Sequence, residues 1–200
     1  AMIAREKGLE PLADLIMLQN LNRPALEEAE RYVSEEKGVS SSQEALAGAM
    51  DILAERISDN AKYRTYIRRA IRDQGTIQSL AKDPKEKSVY EHYYEYEEPV
   101  RKCAGHRVLA LNRGEAEKYL TVKILAPEDV ILKYLEKQVV TRDNPHTSPV
   151  LRSVIEDSYK RLIAPSIERE IRGELTDKAE DGAIRVFGKN LEQLLMQPPI

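Results

Sequence analysis

The chain has 200 residues, 42% hydrophobic and 32% charged, with 31 basic against 34 acidic side chains and a formal net charge of -3. That length supports one large core or two smaller ones; no apolar run approaches the roughly 20 residues of a bilayer-crossing helix, and the start AMIAREKGLEPLADL lacks a secretory layout. One cysteine, Cys103, and three histidines exclude an internal disulfide and offer few groups for proton transfer or nucleophilic attack. The inventory points to a cytoplasmic protein that is not an enzyme, and the near-balanced charge leaves any nucleic-acid role to local clusters.

Ala1 before Met2 reads as a residue left by tag cleavage, and the chain as a fragment whose terminal Gln197 to Ile200 is a linker. The stretch from Leu9 to Asn20 is helical, and Pro24 suits the first turn of a helix bearing Leu26, Ala29 and Val33. Ser41 and Glu44 form a capping box ahead of Leu46, Ala49, Leu53 and Ile57 at helical spacing. Asp59-Asn60 supplies a turn and an N-cap, after which Tyr63, Tyr66, Ile67, Ala70 and Ile71 mark one face of a helix ending near Gly75. These two helices, joined by a tight polar turn, resemble a helix-turn-helix pair.

The tyrosine-rich run from Val89 to Pro99 reads as a helix stopped by its proline. The period then changes. Val108 to Leu111 and Tyr119 to Leu125 flank Asn112-Arg113-Gly114, which predicts a β-hairpin over residues 106–126. Pro127-Glu128-Asp129 opens another helix, Asn144-Pro145 breaks it, and Ser148-Pro149 starts the next. From Pro165 to Met196 apolar residues recur at three to five residue steps; unbroken, that helix measures about 48 Å. A break near Gly182 is the competing reading, since each helical glycine costs about 1 kcal/mol relative to alanine.

Ala61 to Arg72 carries Lys62, Arg64, Arg68, Arg69 and Arg72 and no acid, a local +5. Arg64, Arg68 and Arg72 fall i, i+4, i+8 on one side of a helix. This ridge suits phosphate contact, or else is a charged face neutralised by acids elsewhere in the fold. Arg107, Arg113 and Lys123 form a second cluster around the hairpin, where Arg113-Gly114 is equally an ordinary turn. Cys103-x-x-His106 lacks the further ligands that structural zinc requires, and the glutamates of the tyrosine run oppose a base-stacking role. No Gly-rich phosphate cradle, metalloprotease or nucleophile-elbow motif occurs. No catalytic residue, cofactor or metal site is expected.

IAREKGLEPLA at the N-terminus, YVSEEKGV (residues 32–39), DILAERISDNA (51–61), HRVLALNRGE (106–115) and YKRLIAPSIEREIRGELTDKA (159–179) resemble, in order, the bacterial Tex (YhgF) transcription accessory proteins. The resemblance implies most of the family's N-terminal helical region, ending where a YqgF-like domain should follow; helix-hairpin-helix modules and a C-terminal S1 RNA-binding domain lie further on. It implies a cytoplasmic, non-catalytic, nucleic-acid-associated protein whose main grip on nucleic acid is attributed to the S1 domain. One departure is Cys103-Ala104-Gly105, where a Pro-Ser pair is expected before His106-Arg107.

The expected fold is mainly α and multihelical: a helical region over 1–105 with the helix-turn-helix-like pair, the β-hairpin at 106–126, and helices over 127–200 including the long one. The leading functional reading is sequence-independent contact with DNA or RNA phosphates through Lys62, Arg64, Arg68, Arg69, Arg72, Arg107 and Arg113. The rival is a protein-interaction scaffold whose long helix docks the remaining domains or transcription machinery, with an exposed apolar stripe at Ile171, Leu175, Ile184, Leu191 and Leu195 as its signature.

Overall fold

The computed structural model describes residues 1–198. In chain order it runs α1 (Met2–Glu6), α2 (Glu10–Met17), α3 (Ala25–Ala29), α4 (Ser42–Asp59), α5 (Ala61–Gln74), β1 (Thr76–Ala81) and β2 (Glu95–Pro99). It continues through α6 (Gly105–Ala116), β3 (Leu120–Leu125), α7 (Glu128–Val139), α8 (Ser148–Asp157) and α9 (Ala164–Leu195). The mainly α class stands. Two compact units divide the chain: the first takes Ala1–Ile67 and Glu128–Ser166, the second Arg68–Pro127 and Ile167 onward. The expected boundaries at 105 and 127 follow the chain and miss this interleaving.

In the first unit α4 packs on α1, α2, α3 and α8, burying Leu9, Leu12, Ile16, Ile52, Leu53 and Leu151. The capping box forms in shifted register. Ser41 Oγ accepts from Glu44 N at 3.2 Å, but the Glu44 carboxylate reaches back to Ser40, accepting from its N–H and its hydroxyl at 2.7 Å each. Asn60, alone between α4 and α5, accepts from Tyr63 N at 3.1 Å, satisfying an orphan amide of the first turn. Tyr66 stacks on Tyr134 of α7, with ring centroids 3.6 Å apart.

Between α8 and α9 lies a π-helical segment, Ser158–Ile163, just ahead of Pro165, which was expected to kink or restart the chain. A π turn accommodates a proline without a sharp break, because the carbonyl that the ring denies a partner is re-registered. The segment is held by Ser158 Oγ donating to Ala54 O of α4 at 2.6 Å. The long helix is then continuous through Gly182, so the competing break does not occur.

The second unit corrects the β reading. Residues 105–116 are helical, and the strand Leu120–Leu125 pairs with β1, giving an antiparallel sheet of order β2-β1-β3 where a 106–126 hairpin was expected. Arg113-Gly114 is therefore no turn. Gly114 sits inside α6 because an added Cβ would lie 2.4 Å from Leu120 Cδ1; the glycine reports close approach of a helix to a strand. The tyrosine run contains only a short 3-10 turn, Glu91–Tyr93, before β2. Pro99 ends that strand at the sheet edge, where a missing N–H costs no ladder bond. Ile77, Tyr90, Leu111, Leu120 and Val122 form the core of this unit, and Glu168 of α9 accepts the Ile124 N–H of edge strand β3 at 2.9 Å.

Candidate functional site

The basic face of α5 is paired along much of its length. In the first unit, Lys62 donates to Gln138 Oε1 at 3.2 Å. Arg64 donates to the carbonyl and hydroxyl of Ser58 and to Ser166 Oγ at 3.0 Å. In the second unit, Arg68 holds Glu170 through two bonds, 2.6 and 3.3 Å. Arg72 holds Glu174 likewise at 3.1 and 2.6 Å. Each of Arg64, Arg68 and Arg72 meets a residue 102 positions later. The i, i+4, i+8 spacing of the arginines thus matches the same spacing of Ser166, Glu170 and Glu174. The hydrogen bond that Arg68 donates to Glu170 raises the Arg68 pKa above its ordinary value. Arg69 is exposed.

The second cluster is dispersed. Arg107 sits on α6 and binds Glu98 of β2 through two bonds of 2.9 and 3.1 Å, while Arg113, further along α6, is exposed. Glu98 also takes hydrogen bonds from Tyr96 and Cys103; burial pushes its carboxyl up, but these bonds and that of Arg107 outweigh burial and hold it below its ordinary value. Burial and then the Glu98 hydrogen bond push both the Cys103 thiol and the Tyr96 phenol up to about 12. Such a thiol stays protonated near neutrality and is a poor nucleophile. No group of three or more His, Cys, Asp or Glu side chains among the described residues could hold a metal ion.

An apolar groove of about 1040 Å3 lies in the second unit between the start of α6 and α9, with Val108, Leu109, Leu175, Ala179, Val186 and Phe187 on its walls. Of the expected stripe, Ile171 is only 1% exposed and belongs to the core. Further along, Ile184, Phe187, Leu191 and Leu194 are 68%, 69%, 44% and 64% exposed. Their spacing of three, four and three residues follows a coiled-coil seam.

Arg172 escaped the sequence reading. It binds Glu115 through two bonds of 2.8 and 2.9 Å and Asn112 Oδ1 at 2.7 Å, fastening α9 to α6. Asn112 in turn donates to Thr176 at 2.8 Å. Glu170 and Glu174 escaped as partners too; the signal available for them was acidic spacing one helical turn apart on a distant segment, complementary to the arginines.

Comparison with known proteins places these features in context. The Tex central region-like family model matches residues 20–187. Protein YdcI of Bacillus subtilis is 50% identical over 203 residues, covering 100% of this chain and 28% of its own length. Protein tex of Bordetella pertussis is 32% identical, with 100% of the chain and 27% of the relative covered. A Neisseria gonorrhoeae protein named transcriptional accessory protein Tex is 29% identical over 208 residues, again covering 100% and 27%. The chain spans little more than a quarter of each relative. No helix among the described residues is long and apolar enough to cross a membrane.

Proposed function

Because the chain belongs to the Tex central region-like family, we propose that it is a non-catalytic scaffold of a transcription accessory protein, whose exposed α9 seam docks the remainder of a longer polypeptide. One observation carries this reading: α9 continues to Leu195, and Ile184, Phe187, Leu191 and Leu194 lie open at heptad spacing. Apolar side chains in that order bury themselves against another helix, knob into hole. Relatives more than three times as long as this chain supply polypeptide for that contact, since the chain covers 28% and 27% of two of them.

Mixing this chain with the separately produced remainder of such a protein tests the proposal. Co-elution that Phe187→Asp with Leu191→Asp abolishes supports it; co-elution unchanged by the two aspartates refutes it.

The ridge reading is the less supported one. A phosphate binding at Arg68, Arg72 or Arg107 must displace a carboxylate already bound through two hydrogen bonds, which removes most of the electrostatic gain. Of the seven cations, Arg69 and Arg113 are exposed without an ion pair or hydrogen bond among the described residues, and Lys62 holds only an amide.

A further inference from the structure

The first unit carries a basic hollow whose lining includes none of the α5 arginines. Its volume is about 610 Å3, and it opens between α7, the turn that follows, and the start of α8. Four cations line it, Lys133, Lys137, Arg142 and Arg152, against Glu136 and Asp143. The local excess, four minus two, is +2 in a chain whose net charge is -3.

Arg152 and Glu136 pair at 2.8 Å on exposed side chains, a contact that water and salt largely screen. Lys133, Lys137 and the Arg142 guanidinium are exposed and have no carboxylate partner among the described residues. Lys133 and Lys137 stand one turn apart on the same face of α7. Like charges at that spacing repel, a cost that an anion lying between them reverses.

The turn bearing Arg142 is fixed in advance by side chains that are otherwise hard to explain. Gln19, only 3% exposed and held at a positive φ of 56°, donates to Val139 O at 2.9 Å. Its Oε1 accepts from Thr141 N and Arg142 N at 3.0 and 3.2 Å. Ser148 Oγ donates to Arg142 O and accepts from Asn144 N, each at 3.2 Å. Asn144 ties the same turn to Leu21 O at 3.1 Å. The loop entropy that an incoming ligand would otherwise have to remove is already removed by folding.

An open, basic surface with exposed lysines offers little to a single small anion, which needs enclosure and a fork of donors. It suits a line of phosphates, each neutralised in turn with release of counterions. We propose that this hollow contacts successive phosphates of a nucleic-acid strand without reading its bases. The site is independent of the α9 seam, so either proposal stands or falls alone.

Fluorescence anisotropy of this chain against a fluorescein-labelled oligonucleotide, single-stranded and duplex, over a salt series tests it. The expected result is salt-dependent binding in which Lys133→Gln, Lys137→Gln and Arg142→Gln together lower the log–log salt slope by about three and weaken affinity roughly tenfold or more. All three side chains are exposed, so an unchanged melting temperature is expected to accompany the loss, and Phe187→Asp should leave binding intact. Absence of salt-dependent binding to either oligonucleotide overturns the proposal, as does equal affinity of the triple variant. Affinity for inorganic phosphate without affinity for an oligonucleotide overturns it too, by assigning the hollow to a free ion.

Discussion

Arg68 on α5 and Glu170 on α9 face each other across two hydrogen bonds of 2.6 and 3.3 Å, so a guanidinium in the most basic stretch of the sequence is committed to a carboxylate 102 residues away. The side chains are 29% and 39% exposed, which leaves the pair open to screening by salt. Glu170→Gln should therefore destabilise the chain by no more than about 1 kcal/mol in low salt, with less effect in high salt. Urea unfolding at two ionic strengths measures this. A loss that does not shrink with salt would show that Glu170 acts through packing.

Two glycines should respond in opposite directions to the same substitution. At Gly114 a Cβ would lie 2.4 Å from Leu120 Cδ1, a side chain with no exposed surface; Gly114→Ala should cost about 1–3 kcal/mol through overpacking. At Gly182 nothing lies within 4 Å of the added atom, and the residue is inside a continuous helix. Gly182→Ala should stabilise by up to about 1 kcal/mol. Denaturant midpoints with unchanged slopes decide both, and a destabilising Gly182→Ala would argue against an unbroken α9.

Acid should weaken both units by the same rule. Hydrogen bonding from Arg161 lowers the Asp157 pKa from its ordinary 3.8, and Glu98 stays below 4.5 although burial opposes it. A carboxyl depressed in the folded state stabilises fully above its unfolded value, and that contribution is lost as pH falls through the folded one. Stability should accordingly decline below about pH 4.5, and Arg161→Gln or Arg107→Gln should flatten the decline. A pH profile that these substitutions leave unaltered contradicts the assignment of Asp157 and Glu98.

The helical part of this fold was legible because its signals are local. Ser41, Asn60 and Gly75 mark helix ends by chemistry confined to a few residues, and all three do so in the structure. The sheet was not legible, because β1 finds β3 some 44 residues on, and because Gly114 carries the same letter whether it makes a turn or admits Leu120. The α5 arginines show the same limit for charge. Their ridge could be read from its own spacing, but whether it is a free surface depended on Glu170 and Glu174, which no local pattern joins to it.

The most direct measurement of the scaffold reading is the labelling rate of a thiol placed on the seam by Leu191→Cys, in this chain and in a longer Tex-family protein containing it. Cys103, half-buried and pushed up to about 12 by burial and Glu98, should stay silent near neutrality and serve as an internal reference. The scaffold account predicts rapid labelling of position 191 in this chain and a rate about tenfold or more slower in the longer protein, as for a face closed at least nine-tenths of the time. Equal rates in the two proteins would contradict it.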